Sequence, residues 1–506
     1  MNSKVPQNEQ QPVKRELVGI LLLTALFIGI NTLCLVKDLY FLSLILLIGL
    51  MVILLTVRFD YMLLCMALLT PFSVNLRLLP QMELSIPVEP LMILFCGIFF
   101  FRILLTRCYD SRILHHPISI ALMASLGWMF VSACCSQIPF VSFKYFIARL
   151  WFVIPFFFAS AQIFQSFQRI LQFYGCYLLG LCIVIIITTI NTMSDASDLT
   201  TLQTLHHVMQ PFYNDHTAYG CIIALLLPIA CHLYFNSPRH HPRRIVIFCA
   251  LLLLIMGLYL SFCRAAWVSV AAALGMYILL RLGIKLKWMA LMAALAIGLF
   301  FAYQGDIMYK LGKNHQDSSY DVGDQIKSIT NIATDASNLE RLNRWGAAFR
   351  LWEDHPIMGC GPGTYQFLYA SYQRSYQMSV ISTNAGDNGN AHSEYIGPLT
   401  EQGVIGLLLI VILFITTFVT GVRIYRTAEN PNIANMALSL ALGLLTYYVH
   451  GFFNNFLDTD KLSVPFWGFT AAIVALDLYG KQYSTPQEAN KEASEPITAT
   501  NTEEVL

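Results

Sequence analysis

Four side chains in this sequence are of the right type, and in the right company, to act on a phosphorylated substrate. Arg264 stands alone in Ser261-Phe262-Cys263-Arg264-Ala265-Ala266-Trp267, at the junction of two apolar runs. Arg341 and Arg344 lie in a polar stretch, 305–402, which also contains His392. A guanidinium group is a planar fork that donates two parallel, charge-assisted hydrogen bonds, and so suits phosphate. An imidazole moves protons near neutral pH. Arginines with one histidine and no metal-ligand motif fit one reaction well: a sugar passes from a diphosphate leaving group to an acceptor hydroxyl. The histidine takes the hydroxyl proton, and the arginines neutralise the charge that grows on the departing diphosphate. Blander readings stay open at this stage. Arg264 can snorkel to lipid headgroups, and a histidine near a helix start can be a solvated cap. A transporter of lipid-linked sugars and a membrane scaffold remain rival classes. Transporters, however, tend to show paired halves and broken helices, whereas here the polar residues collect in one late stretch.

Other residues stand near these. Asn214 and Asp215 open an apolar run, where they would cap a helix or touch substrate. Ser337-Asn338-Leu339-Glu340 fits a capping box, and Trp345, Ala348, Phe349 and Trp352 recur as one apolar helical face. Glu340, Arg341 and Arg344 then fall on or near the other face, and Pro356 ends the helix. Gly359-Cys360-Gly361-Pro362-Gly363-Thr364 places three glycines in five residues, which requires special backbone angles or close backbone approach. Gly361 and Gly363 first of all shape a turn, and they are also candidates for phosphate contact. Ala391-His392-Ser393-Glu394-Tyr395 is expected to start a helix running into the next apolar segment, with Glu394 and Tyr395 as candidate substrate contacts. Arg149, inside an apolar run, is a functional candidate by its depth alone and has no assigned role.

The elements that must hold these residues follow from composition. Of 506 residues, 56% are apolar or aromatic and only 12% are charged, about half the charged share of a soluble domain. This excludes disorder, a secreted disulfide scaffold and a nucleic-acid binder, and a net charge of +1 gives no grip on a polyanion. The reading is an all-α polytopic membrane protein with about 12–14 transmembrane helices and one large, partly helical loop. Candidate spans are 17–36, 39–57, 61–76, 88–106, 117–135, 144–163, 170–190, 216–235, 245–262, 265–281, 288–304, 403–422, 433–453 and 465–480. The chain divides into a tail (1–16), eleven spans (17–304), the loop (305–402), three spans (403–480) and a polar, disordered tail (481–506). No cleavable signal is expected, since sixteen polar residues precede the first apolar run and no small-residue cleavage site follows it. Basic residues mark every second connection: Arg107 and Arg112, then Arg239 to Arg244, then Arg281, Lys285 and Lys287, then Arg423 and Arg426. That alternation puts both termini in the cytoplasm and the long loop outside. Most of the thirteen cysteines lie in or beside apolar spans and read as small hydrophobes. The histidine pairs lack the spacing of a zinc site.

Three segments resemble the signature of the O-antigen ligase and O-antigen polymerase family of bacterial inner-membrane glycosyltransferases. The first is Ser261 to Trp267, with its Ser-x-x-Arg-x-x-Trp pattern. The second is Arg341-x-x-x-Trp345 continuing through His355-Pro356-Ile357-Met358-Gly359-Cys360-Gly361-Pro362-Gly363-Thr364-Tyr365. The third is Ala391-His392-Ser393-Glu394-Tyr395 through Glu401-Gln402-Gly403-Val404-Ile405-Gly406-Leu407. Weaker likenesses at 214–228 and 450–467 extend the resemblance over about half of the chain. It implies a GT-C-like fold and a metal-independent, inverting glycosyltransferase without cofactor. Its donor would be an undecaprenyl-diphosphate-linked glycan. Its acceptor would be a hydroxyl of a lipid A core, a growing glycan or a protein. The implied place is the bacterial inner membrane among its lipids, with the loop periplasmic. The resemblance makes His392 the base and Arg264 and Arg341 the diphosphate ligands, with Arg344 ranked behind Arg341. Ser393 stands where many relatives carry Asn, which bears on acceptor choice.

Overall fold

The computed structural model describes residues 59–79, 82–106, 109–194, 209–213, 215–288, 336–378 and 389–492, with Leu291, Leu295 and Ser382 as isolated positions. The chain forms two compact units, Met1–Met62 and Leu63–Leu506. Apart from Phe59–Met62, the described residues belong to the second.

The elements run as follows. Helix α1 (Phe59–Leu69) leads through a 3₁₀ turn into an antiparallel hairpin, β1 (Val74–Leu79) and β2 (Met82–Ile86). Then come α2 (Val88–Thr106), α3 (Ser111–Leu114), α4 (Pro117–Cys134), α5 (Pro139–Val153), a π-helical turn (Ile154–Ala159), α6 (Ser160–Ile163) and α7 (Phe167–Ser194). Helices α8 (His216–Phe235), α9 (Pro242–Leu260) and α10 (Arg264–Arg281) precede the polar stretch, which contributes α11 (Ala336–Asp354) and the short α12 (Tyr365–Leu368). Helices α13 (Ile396–Thr427), α14 (Pro431–His450) and α15 (Asp460–Glu492) complete the described chain.

Ten of the described helices are long and apolar enough to cross a membrane. They match ten of the fourteen candidate spans. Spans 17–36 and 39–57 lie outside the described residues, as does 288–304 apart from Trp288, Leu291 and Leu295. The candidate at 61–76 is a correction: the helix there ends at Leu69 and gives way to the 3₁₀ turn and the hairpin, so 70–76 are not helical span. Local chemistry sets the helix starts. Pro117, Pro242 and Pro431 occupy the first turn, where a missing N–H costs nothing. The preceding residues cap them: the side chains of His116, His241 and Asn430 each accept a backbone N–H two residues on. Two of the histidine pairs are thereby explained as caps.

Burial is graded across the bundle. In α15, 89% of the spanning window is buried and in α14 78%, against 22% in α9 and α10. Helices α14 and α15 are thus the central posts, α14 packing on α8, α10 and α13. The outer faces carry exposed apolar residues such as Leu104, Phe140 and Val246, as lipid contact requires. Basic tips meet at one end: Arg423 pairs with Asp477 at 2.6 Å, and Arg426 donates to the carbonyl of Ile284 at 2.7 Å. The polar stretch packs at the opposite end.

Candidate active site

At that opposite end, five segments distant in sequence converge: the N-terminus of α8, the turn before α10, helix α11, the turn before α13, and the connection after α14. Each is positioned by a recognisable local device.

Asp215 caps α8, accepting the backbone N–H of Thr217 at 2.9 Å, and pairs with His216 at 3.1 Å. Desolvation opposes its charge, but His216 and Thr217 hold its carboxyl well below the usual carboxylate range. Asn214 lies outside the described residues. Gly220 lets α8 approach the turn before α10 so closely that an added Cβ would meet Cys263 at 2.8 Å and Ser261 at 2.9 Å. In that turn Phe262 has φ 46°, and Cys263 then leads into Arg264, the first residue of α10. Cys263 lies within the electrostatic reach of both Asp215 and Arg341, so Arg264 and Arg341 border one region.

Helix α11 begins at Ala336, one residue before the expected cap, so Ser337 lies inside it. Its buried face matches the expected apolar stripe only in part: Ala348 is buried and Trp345 packs on the core, but the face is more polar than expected. Glu340, Asn343, Arg344, Ala347, Ala348 and Leu351 face inward, while Phe349 is exposed. Ala347, Ala348 and Leu351 join Cys360, Tyr365, Tyr369, Ala391 and Ile396 in a small core beneath the site. Arg344 and Glu340 pair with each other on this face, and Asn343 Nδ2 donates to Gln373 at 2.6 Å and to Ser382 at 3.2 Å. Arg344 Nε donates to Glu340 at 2.7 Å, its Nη1 to the carbonyl of Asn390 at 3.2 Å, and its guanidinium lies 5.3 Å from the centre of the Tyr369 ring. Glu340 also accepts from Ser382. Arg341, by contrast, is only partly buried and donates from Nε to the carbonyl of Phe453 at 3.3 Å.

His392 is not in a helix. It sits in a left-handed turn, φ 49°, and α13 begins four residues later. Among the described residues, Phe262 and His392 are the only non-glycine residues with positive φ. Such backbone costs on the order of 1–3 kcal/mol and persists where neighbours over-determine it. The neighbours are evident. Trp345 Nε1 donates to the carbonyl of Ala391 at 3.1 Å, and the His392 N–H donates to Asn390 Oδ1 at 3.1 Å. Glu394 N–H donates to the carbonyl of Gly451 at 2.7 Å. Ser393 accepts from the backbone of Tyr395 and Ile396, starting α13. Desolvation, then the guanidinium groups of Arg341 and Arg344, push the His392 imidazole down to about 4, with Asp215 and Glu340 pulling the other way. The imidazole is therefore neutral at neutral pH and can accept a proton.

Glu394 and Tyr395 turn inward. Glu394 Oε1 accepts from the Tyr447 hydroxyl at 2.5 Å and from the backbone N–H groups of Phe456 and Leu457 at 2.9 and 3.0 Å. The Tyr395 hydroxyl donates to the carbonyl of Tyr448 at 2.8 Å. The glycine run is a docking device. Helix α13 is kinked at Gly403, φ 70°, which frees carbonyls in its first turns. Cys360 N–H donates to the carbonyl of Thr400 and Gly361 N–H to that of Glu401, at 3.1 and 2.9 Å. Gly361 and Gly363 are buried, with Ser136 and Tyr145 standing where a Cβ would go. They shape a turn by close approach.

One residue near the site stood only inside a weak likeness in the sequence. His450 is fully buried at the end of α14. Its Nε2 faces the Asn454 amide at 3.1 Å, and its Nδ1 has no hydrogen-bond partner among the described residues. A histidine ending an apolar span at the same end as His392 was the available signal. Among the described residues, no group of three or more His, Cys, Asp or Glu is arranged to hold a metal ion.

Residues 249–411 match the family model described as O-antigen ligase. An uncharacterised protein of Haemophilus influenzae is 23% identical over 239 residues, 44% of this chain and 54% of that protein. The chain thus spans about half the length of this curated relative. The matched stretch contains Arg264, Arg341 and His392, and in that stretch this multi-pass chain is similar to the O-antigen ligase family.

Proposed function

We propose that this protein moves a glycan from a polyprenyl-diphosphate donor to an acceptor hydroxyl at the outer face of a bacterial inner membrane. The observation that carries the proposal is the neutral, strained His392 held beside Arg341 at one end of a membrane bundle. Arg341 and Arg264 bind the donor diphosphate. Arg344, already paired with Glu340 and Asn390, fixes the base instead of binding the donor. His392 takes the acceptor's hydroxyl proton. The acceptor oxygen then forms its bond to the anomeric carbon as the bond from that carbon to the diphosphate oxygen breaks. The electron pair leaves with the diphosphate, whose charge the arginines offset. Attack from the face opposite the leaving group inverts the anomeric carbon.

Diphosphate binding also has an electrostatic consequence. Its negative charge between Arg341 and His392 cancels part of the field that depresses the imidazole, so donor binding raises the basicity of His392 toward its task. The experiment is transfer from a synthetic polyprenyl-diphosphate glycan by purified enzyme, with Arg264→Lys and Arg341→Lys beside wild type. Loss of transfer in both, about 10- to 150-fold, supports the assignment. Full activity of the double variant would make the arginines headgroup anchors.

A further inference from the structure

Arg149 lies within the membrane-spanning segment formed by α5, and it belongs to no role given above. Its side chain is 10% exposed. Nη1 donates to the carbonyl of Leu457 at 3.0 Å. Nη2 donates to Asp458 Oδ1 and to the Tyr145 hydroxyl, each at 2.8 Å. Tyr145 donates to the same Asp458 oxygen at 2.8 Å. The guanidinium is thus committed to the connection between α14 and α15.

Leu457 is held from both sides. Its carbonyl accepts from Arg149, while its N–H donates to Glu394 at 3.0 Å. Arg149 and Glu394 also line one cavity of about 40 Å³, together with Gln402 and Trp467, whose Oε1 and Nε1 atoms have no hydrogen-bond partner among the described residues. A space of that size holds a water or two. The direct covalent and hydrogen-bonded path between the two charges therefore runs through the Leu457 peptides. From Glu394 the path is short. Its backbone N–H is tied to Gly451 at the other end of the same connection, and His392 is two residues upstream. Arg341 also donates to this connection, at Phe453.

We propose that Arg149 is a positioning residue for the base: by fixing Leu457 and Asp458 it sets the Glu394 carboxylate, and Glu394 holds the His392 turn. This inference rests on the reading of His392 as the base. An intramembrane arginine so placed rigidifies the site from behind. It does not touch the donor, so its loss should lower turnover and leave donor affinity in place.

The test compares Arg149→Gln, Glu394→Gln and the double variant in purified full-length enzyme. Donor KM and kcat are measured, and so is carbethoxylation of His392 by diethyl pyrocarbonate, followed by peptide mass spectrometry. The labelling needs no turnover, so it reports on the turn even if glycan transfer is not the reaction. Each single variant should lose about 10- to 100-fold in kcat with donor KM within about twofold, and each should change the His392 labelling rate several-fold. The double variant should be no worse than the poorer single, because both act through one path. Asp458→Asn, which keeps volume and can still accept from Arg149, should give the same pattern more mildly and covers misfolding of Arg149→Gln. A raised donor KM with kcat intact would assign Arg149 to the donor. Unchanged His392 labelling in both single variants, or multiplicative losses in the double, would overturn the positioning path. Normal labelling responses without any transfer would keep the path and remove the glycosyltransferase reading.

Discussion

Trp345 donates its indole N–H to the carbonyl of Ala391 at 3.1 Å, directly before His392. Arg341 and Trp345 are one helical turn apart on α11. The Arg-x-x-x-Trp spacing therefore places a guanidinium beside the imidazole and pins the turn that presents it.

From this contact, Trp345→Phe should keep the ring packing and lose the hydrogen bond. We expect a stability loss of about 1 kcal/mol, read by thermal unfolding in detergent. A larger effect is expected in kcat, on the order of tenfold or more, because the left-handed turn loses a restraint. Equal kcat in Trp345→Phe and wild type would separate the motif from the base.

The pH dependence has a definite sign. The proton on His392 must be absent for it to act, and the free protein holds its pKa near 4. Activity governed by kcat/KM should therefore persist as pH falls and be lost as pH passes through about 4. Arg341→Ala removes one charge that depresses the imidazole, so its acid limb should lie at higher pH. In wild type the limb of kcat should also lie above that of kcat/KM, since the bound diphosphate offsets the arginines. Rate profiles from pH 3.5 to 8, on the order of one limb per parameter, measure both shifts.

Gly403→Ala should be severely destabilising. The residue has φ 70°, and an added Cβ would meet the carbonyl oxygen of Ile357 at 1.9 Å. Backbone strain and collision together should cost about 2 kcal/mol or more. The carbonyls of Thr400 and Glu401 would also lose the turn that docks on them. Thermal unfolding and transfer assays should fall together, unlike those of Trp345→Phe.

Glu340→Gln leaves the shape of the pair with Arg344 but removes its charge. Arg344 then stays buried with a weaker partner, which costs about 1–3 kcal/mol. Donor KM should change little, because Arg344 is turned to Asn390 and Tyr369. A tenfold rise in donor KM would return Arg344 to the diphosphate.

Much of this was legible from the sequence, for physical reasons. Apolar runs of spanning length must be helical in lipid, and so α2, α4, α8, α9, α10 and α14 fall where hydropathy put them. The 61–76 run misled because apolar content alone does not separate a short buried helix and turn from a span. On α11 the stripe held at Trp345 and Ala348 but not at Phe349, which is exposed. The inward face also buries Glu340, Asn343 and Arg344, which reach Ser382 and Asn390 about 40 to 50 positions on, and no local period reports that. The His392 segment does lead into α13, with the Ser393 hydroxyl accepting the backbone N–H groups of Tyr395 and Ile396. The left-handed turn before it depends on Trp345, Arg344 and Gly451, all distant in the chain. The glycine run pointed to a shaped turn, with phosphate contact as the lesser alternative, and the kink at Gly403 shows which backbone it approaches.

The central claim is that His392 is the base of a glycan transfer that needs no metal. The measurement is transfer from a lipid-diphosphate glycan by purified His392→Gln and wild type, each with and without a chelator. Glutamine keeps size and polarity but cannot take the proton. The variant should lose roughly 2–4 powers of ten in rate with donor binding nearly unchanged, and wild type should be indifferent to the chelator. Near-normal turnover in His392→Gln, or wild-type activity abolished by the chelator, would contradict the account.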